Sequence, residues 1–128
     1  MRTAWYIDDD QEMINAITLM LQLLGFQTRP FLSARPAAQA LLAGENPDIL
    51  LLDISMPEVT GIDLLEFIRR RKMWDHLPVI MLSSEAADTQ VDKALHLGAD
   101  GYTFKPATIE ELENAIQSAF QKRKKIQG

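Results

Sequence analysis

Short apolar runs alternate along the chain with longer stretches of helical period, and Gly, Pro, Asp or Ser marks each change. The first run reads Thr3 to Ile7. Ile14, Ile17, Leu21 and Leu24 then recur at spacings of three and four before Gly25, which predicts an amphipathic helix with a glycine stop. "FQTRPF" reads as an edge strand, because Pro30 lacks the N–H that a central strand donates. Ser33 precedes "ARPAAQALLAG", a helix in which Pro36 is tolerable in the first turn. "DILLLD" is a continuous apolar run of the kind buried on both faces of a parallel sheet. Thr60 with Asp63, and Thr108 with Glu111, match the capping box and fix two helix starts. Those helices carry the stripes Ile62, Leu65, Ile68 and Ile109, Leu112, Ile116, Phe120. Between them lie a strand "VIML", a helix around Val91, Ala94 and Leu95 ending at Gly98, and a short strand "GYTF". Five βα units result, without repeats or low-complexity linkers. Strands joined through helices run parallel with right-handed crossovers, so the expected fold is a doubly wound α/β sandwich.

A chain of 128 residues predicts one domain, 1–128, with a sizeable core. Its 47% hydrophobic and 24% charged content is that of a water-soluble globular protein, and no apolar stretch is long enough to span a bilayer. There is no cysteine for a disulfide framework or thiolate metal site, and no apolar signal core at the N-terminus, so a cytoplasmic location is expected. A formal charge of -5 argues against a nucleic-acid surface covering the domain. "RRRK" at 69–72 and "KRKK" at 122–125 fall at helix ends, where positive charge complements the dipole. The second run could instead begin a linker, which leaves open a stand-alone protein or an excised domain.

In doubly wound sheets the ligand crevice lies beyond the carboxyl ends of the strands. There the chain places Asp8, Asp9 and Asp10, then Asp53, then Ser83 and Ser84, then Lys105, while the edge strand adds nothing. Carboxylates with ordinary pKa values near ~4 are ionised at neutral pH, so gathering them demands a cation or a strong pKa rise. An all-oxygen set without cysteine suits Mg²⁺. A metal beside a further carboxylate, a lysine and a serine suits phosphoryl transfer, with Asp53 as nucleophile. Asp10 is better placed as a helix N-cap than as a ligand.

"IDDD", "LLLDISMPEVTG", "PVIMLSSEA" and "GADGYTFKPAT", in that order and each at a strand end, resemble the receiver domain of two-component response regulators. The resemblance covers essentially the whole chain. It implies a flavodoxin-like (βα)5 three-layer sandwich with strand order 2-1-3-4-5. It implies that Asp9 ligates Mg²⁺ directly and Asp8 chiefly through water, with Asp53 and the Ser55 backbone carbonyl as further ligands. Asp53 is then the phosphoacceptor, Ser83 and Lys105 bind phosphoryl oxygens, and Tyr102 is an aromatic switch that turns inward as Ser83 moves. Ser55 and Glu85 occupy positions that tune the phosphate lifetime, and the Lys105 to Pro106 bond is expected to be cis.

The implied phosphodonor is a sensor histidine kinase or a phosphotransfer protein, docking near Met13, Ala16, Pro106 and Ala107. His76 and His96 lie away from strand ends, which argues against self-donation. Output is expected through the fourth helix, fifth strand and fifth helix, toward a downstream protein target or a missing output domain. A phosphorylation-dependent homodimer is a further partner, and neither direct nucleic-acid contact nor membrane contact is expected.

A haloacid-dehalogenase-type phosphatase also uses a metal and an aspartate nucleophile, and Asp8 with Asp10 fits its D-x-D spacing. It lacks support at the next expected Thr or Val, at a late acidic pair, and in chain length for a cap. An FMN binder of the same architecture needs a glycine- and hydroxyl-rich phosphate loop where three aspartates stand. A degenerate receiver acting only as a binding module is the third alternative, and the retention of Asp9, Asp53, Ser83 and Lys105 weighs against it. Blander roles compete at single positions. A half-exposed Tyr102 needs no switching role, Met13, Met20, Met56 and Met81 read as packing residues, and Trp5 reads as core.

Overall fold

The computed structural model describes residues 1–84 and 88–127. Glu85 lies outside the described residues. The strands are β1 (Thr3–Ile7), β2 (Gln27–Phe31), β3 (Ile49–Asp53), β4 (Val79–Ser83) and β5 (Gly101–Phe104). The helices are α1 (Gln11–Leu23), α2 (Ala34–Leu42), α3 (Gly61–Arg69), α4 (Asp88–His96) and α5 (Ile109–Gln127), with one 3₁₀ turn at Lys72–Trp74. All strand pairs are parallel in the order β2-β1-β3-β4-β5. This is the flavodoxin-like α/β fold that the residue pattern and the resemblance implied.

Side chains alternate between the two faces of the sheet, and each face is covered by helices. Trp5, Ile7, Leu50, Leu52 and Met81 pack with Ala37 and Leu41 of α2, Leu64, Leu65 and Ile68 of α3, and Val91 and Ala94 of α4. Ala4, Tyr6, Ile49, Leu51, Ile80 and Leu82 pack with Ile14, Ile17 and Leu21 of α1 and Leu112, Ile116 and Ala119 of α5. Every residue of β3 is buried, as expected of a central strand. Pro30 sits on β2, at the edge of the sheet, and Pro36 in the first turn of α2.

The helix ends follow local chemistry. Asp10 caps α1, its side chain accepting from the N–H groups of Glu12 and Met13. Gly25 takes φ +95° beyond that helix, a region costly for a residue with a Cβ. The Thr60–Asp63 and Thr108–Glu111 boxes both form. One stripe position departs from expectation: Ile109 is exposed, because it opens α5 and the helix meets the sheet only from Leu112 onward. The buried place just before the helix is taken by Ala107.

The basic runs also need correction. Arg69 and Arg123 do more than complement helix dipoles, since both close on the buried carboxylate of Asp100. Asp100 accepts from Arg69 Nη2 at 3.0 Å, Arg123 Nε at 2.5 Å and the Val79 N–H at 2.9 Å. Arg69 spends its other donors on the carbonyls of Gly98, Trp74 and Leu77. Burial, with Arg123 close by, lowers the Arg69 guanidinium to about 10. This network ties α3, α5 and the start of β5 together at the amino ends of β4 and β5.

Removing one partner from such a network leaves buried charge uncompensated. Asp100→Ala is expected to lower stability by roughly 3–5 kcal/mol in urea denaturation. A loss under about 0.5 kcal/mol, the range of ordinary surface changes, would show that the network carries no weight.

Candidate functional site

The strand register brings the polar residues to one rim. Ile7 pairs with Leu52, so Asp8 and Asp53 follow side by side beyond β1 and β3. Asp53 pairs with Leu82 and Ser83 with Phe104, which sets Ser83 and Lys105 on the same edge. The Lys105 N–H donates to the Ser83 carbonyl at 2.7 Å and fixes where the lysine leaves the sheet.

From there the side chain crosses the end of β4. Neighbouring strands lie about 4.8 Å apart, so β3 and β5 are about 10 Å apart, a gap that the long lysine and the aspartate reaching toward it close together, with the ion pair between them. Its ammonium lies 3.0 Å from Asp53 Oδ1 and 2.9 Å from Asp8 Oδ2. Asp8 is fully buried, and its other oxygen accepts from the Asp10 N–H at 2.9 Å. The Tyr6 hydroxyl also donates to Asp8 Oδ2. Ser83 is buried, Asp9 and Ser55 are exposed, and Asp10 is committed to its cap. Tyr102 is 42% exposed, with its ring edge-on to Phe104 at 5.4 Å. The Lys105–Pro106 bond is cis.

The loop after β3 is shaped by two backbone constraints. A Cβ on Gly61 would lie 1.9 Å from the Asp53 carbonyl oxygen, so only glycine lets α3 begin against the end of β3. Glu58 holds φ +63°, a left-handed conformation unfavourable for a non-glycine residue.

Two buried carboxylates share one ammonium. Burial is the main force raising Asp53, the Lys105 bond pulls it down, and the charge of Asp8 pushes it up, leaving it at about 6. At Lys105 burial opposes the charge, yet the bonds to Asp8 and Asp53 outweigh it and raise the ammonium. Burial and the Asp8 carboxylate raise the Tyr6 phenol, which therefore remains a donor at neutral pH.

Oxygen atoms of Asp8, Asp9 and Asp53 all lie within 4.8 Å of one another. Three carboxylates, two buried and one exposed, without nitrogen or sulfur donors form a hard-cation set, and the cluster fits Mg²⁺ by that chemistry. Asp10 is outside it, its side chain committed to the α1 cap.

Residue reasoning brought Asp8, Asp9, Asp53, Ser83 and Lys105 to this rim but missed Tyr6. The signal was present: Tyr6 stands two residues before Asp8 on the same face of a buried strand, and a buried phenol needs a partner.

Residues 5–117 match the sequence profile of the response regulator receiver domain. The chain is 35% identical over 116 residues to the chemotaxis protein CheY of Pseudomonas aeruginosa, covering 91% of this chain and 94% of that one. It is 32% identical over 118 residues to the transcriptional regulatory protein KdpE of Mycobacterium tuberculosis, of which it spans only 50%. A response regulator receiver domain from Clostridium thermocellum superposes with a TM-score of 0.87 at 24% identity, covering 98% of this chain and 99% of that one, which establishes likeness of fold.

The raised pKa of Asp53 sets a pH-dependent outcome for the metal-free protein. Its folded value of about 6 stands above its ordinary 3.8, so the ionised side chain is disfavoured in the fold. That penalty is absent below both values, grows as pH rises from about 4 to 6, and is fully present at pH 7. With chelator, Asp53→Asn is expected to gain on the order of 1–3 kcal/mol over wild type at pH 7, shrinking toward pH 4. Equal or lower stability of the variant at pH 7 contradicts the electrostatic reading.

Proposed function

The chain belongs to the response regulator receiver domain family of two-component signalling, a signalling module rather than a conventional enzyme, and from that premise we propose that Asp53 is its phosphoacceptor. The family implies a cognate histidine kinase as partner. The observation that supports Asp53 most directly is its place at the end of the fully buried central strand, bonded to Lys105 and clustered with Asp8 and Asp9.

In this reading an Asp53 carboxylate oxygen attacks phosphorus of a phosphohistidine. The P–O bond forms as the P–N bond breaks, and the imidazole nitrogen keeps the electron pair and takes a proton. Asp9 and Asp53 directly, Asp8 chiefly through water and the Ser55 carbonyl would hold Mg²⁺, which would supply charge neutralisation on the phosphoryl oxygens. Lys105 pairs with one of those oxygens and Ser83 bonds another. Both are suited by position, Lys105 already touching the acceptor and Ser83 buried at the end of the adjacent strand.

Tyr102, exposed beside Phe104, is assigned the switch role, and the face made by α4, β5 and α5 the output role. Two exposed aromatics on an edge strand, next to Leu95, Asn114 and Ala115, offer an apolar contact whose shape can depend on the phosphate. A downstream protein target, an output domain or a second copy could read that face. Met13, Ala16, Pro106 and Ala107 are the proposed donor docking site. The unit 1–128 is taken as one receiver domain. A cytoplasmic location belongs to the same proposal; no helix among the described residues is long and apolar enough to cross a membrane.

Intact mass after incubation with Mg²⁺ and a small phosphodonor tests the assignment. Wild type is expected to gain one phosphoryl group and Asp53→Asn none. Equal uptake by the variant would place the acceptor elsewhere.

A further inference from the structure

Asp8 Oδ2 carries two donors of different kinds. One is Lys105 Nζ at 2.9 Å, an ammonium shared with Asp53 on the end of a flexible side chain. The other is the hydroxyl of Tyr6, whose ring is 1% exposed in the core beneath α1 and α5. The tyrosine stands on a strand paired on both sides, with Pro30 of β2 and Leu51 of β3 as its neighbours, and cannot follow a departing ligand. Lys105 is free of that constraint. A cation arriving at the rim competes with its ammonium for the carboxylates and a phosphoryl group competes for the ammonium itself, and when the lysine leaves, Asp8 keeps only the donors anchored in β1 and at the start of α1.

We propose that Tyr6 is a positioning residue for the acidic cluster, holding the Asp8 carboxylate in its binding orientation through the exchange of Lys105 for a divalent cation. The inference rests on the reading of Asp8, Asp9 and Asp53 as a Mg²⁺ site. Two effects of the hydroxyl oppose each other. It draws charge from Asp8, which weakens attraction for a cation, and it fixes the carboxylate, which spares reorganisation on binding. The second prevails here because Asp8 is fully buried. Without the phenol its charge would lean wholly on Lys105 and the Asp10 N–H, making release of the lysine costlier.

Tyr6→Phe keeps the ring and removes the donor. Titration of the full chain with Mg²⁺ by calorimetry, beside urea denaturation in chelator, compares wild type, Tyr6→Phe and Asp9→Asn. Tyr6→Phe is expected to bind Mg²⁺ roughly 5- to 30-fold more weakly than wild type, part of the worth of one charge-assisted hydrogen bond, since that bond is present before the ion arrives. Asp9→Asn is expected to lose binding. If Tyr6→Phe binds as tightly as wild type or tighter while Asp9→Asn fails, the role of Tyr6 is refuted and the metal site stands. If wild type itself takes up no Mg²⁺, the site reading falls and this inference with it.

A second readout does not depend on how Tyr6→Phe folds. The chain has two tyrosines, so NMR of ζ-carbon-labelled tyrosine in a Tyr102→Phe background reports Tyr6 alone. Its signal is expected to shift as Mg²⁺ is added, and an unmoved signal with Mg²⁺ bound overturns the proposal.

Discussion

One ammonium between two buried carboxylates holds the functional rim together. Two unit charges 4 Å apart interact by about 4 kcal/mol at the effective dielectric of a protein surface, so Asp8 and Asp53 cannot stay close without a compensating cation. Lys105 provides it, at 2.9 Å and 3.0 Å. The compensation is incomplete, since one positive charge serves two negative ones and Asp53 remains at about 6. A rim with unbalanced negative charge, all oxygen donors and a movable internal cation is well matched to a divalent ion. The lysine can give up its bridging position without leaving the acids uncovered. In the proposed reading the same lysine then turns to the phosphoryl group, so its release and its later use are one movement.

The rest of the fold keeps that rim in register. Parallel pairing places the ends of β1, β3, β4 and β5 together, and the burial of β3 on both faces makes the mount of Asp53 stiff. Gly61 lets α3 start against the Asp53 carbonyl, where any side chain would collide. At the opposite ends of β4 and β5, Asp100 with Arg69 and Arg123 forms a second buried ionic knot. The two knots differ in kind. Around Asp100 the guanidinium groups also bond backbone carbonyls, so the cluster is closed within the fold. Around Asp8 and Asp53 the cation is a lysine that donates to side chains, and Asp9 stays exposed to receive something from outside.

Much of this was legible in the residues because it depends on local rules. Alternation of short apolar runs with helical stripes gives the βα order, Pro30 marks the edge, and the capping boxes at Thr60 and Thr108 mark helix starts. Polar residues at strand ends collect at one rim by topology alone, which is why Asp8, Asp53, Ser83 and Lys105 could be grouped before any coordinates. What escaped depends on contacts between distant segments. Arg69 and Arg123 look like ordinary helix-end charges until Asp100, far along the chain from Arg69, is brought beneath them. Ile109 fits its stripe, yet the sheet does not extend under the first residue of α5. Tyr6 reads as one more apolar strand residue unless its hydroxyl is asked for a partner.

The central claim is that Lys105 stands where a divalent cation acts, and Mg²⁺ affinity of Lys105→Met tests it most directly. If the lysine is an internal competitor, removing it tightens Mg²⁺ binding relative to wild type even as the metal-free fold loses stability. Mg²⁺ binding that weakens or disappears in the variant would contradict the account, because the ammonium would then be supporting the ion rather than occupying its role.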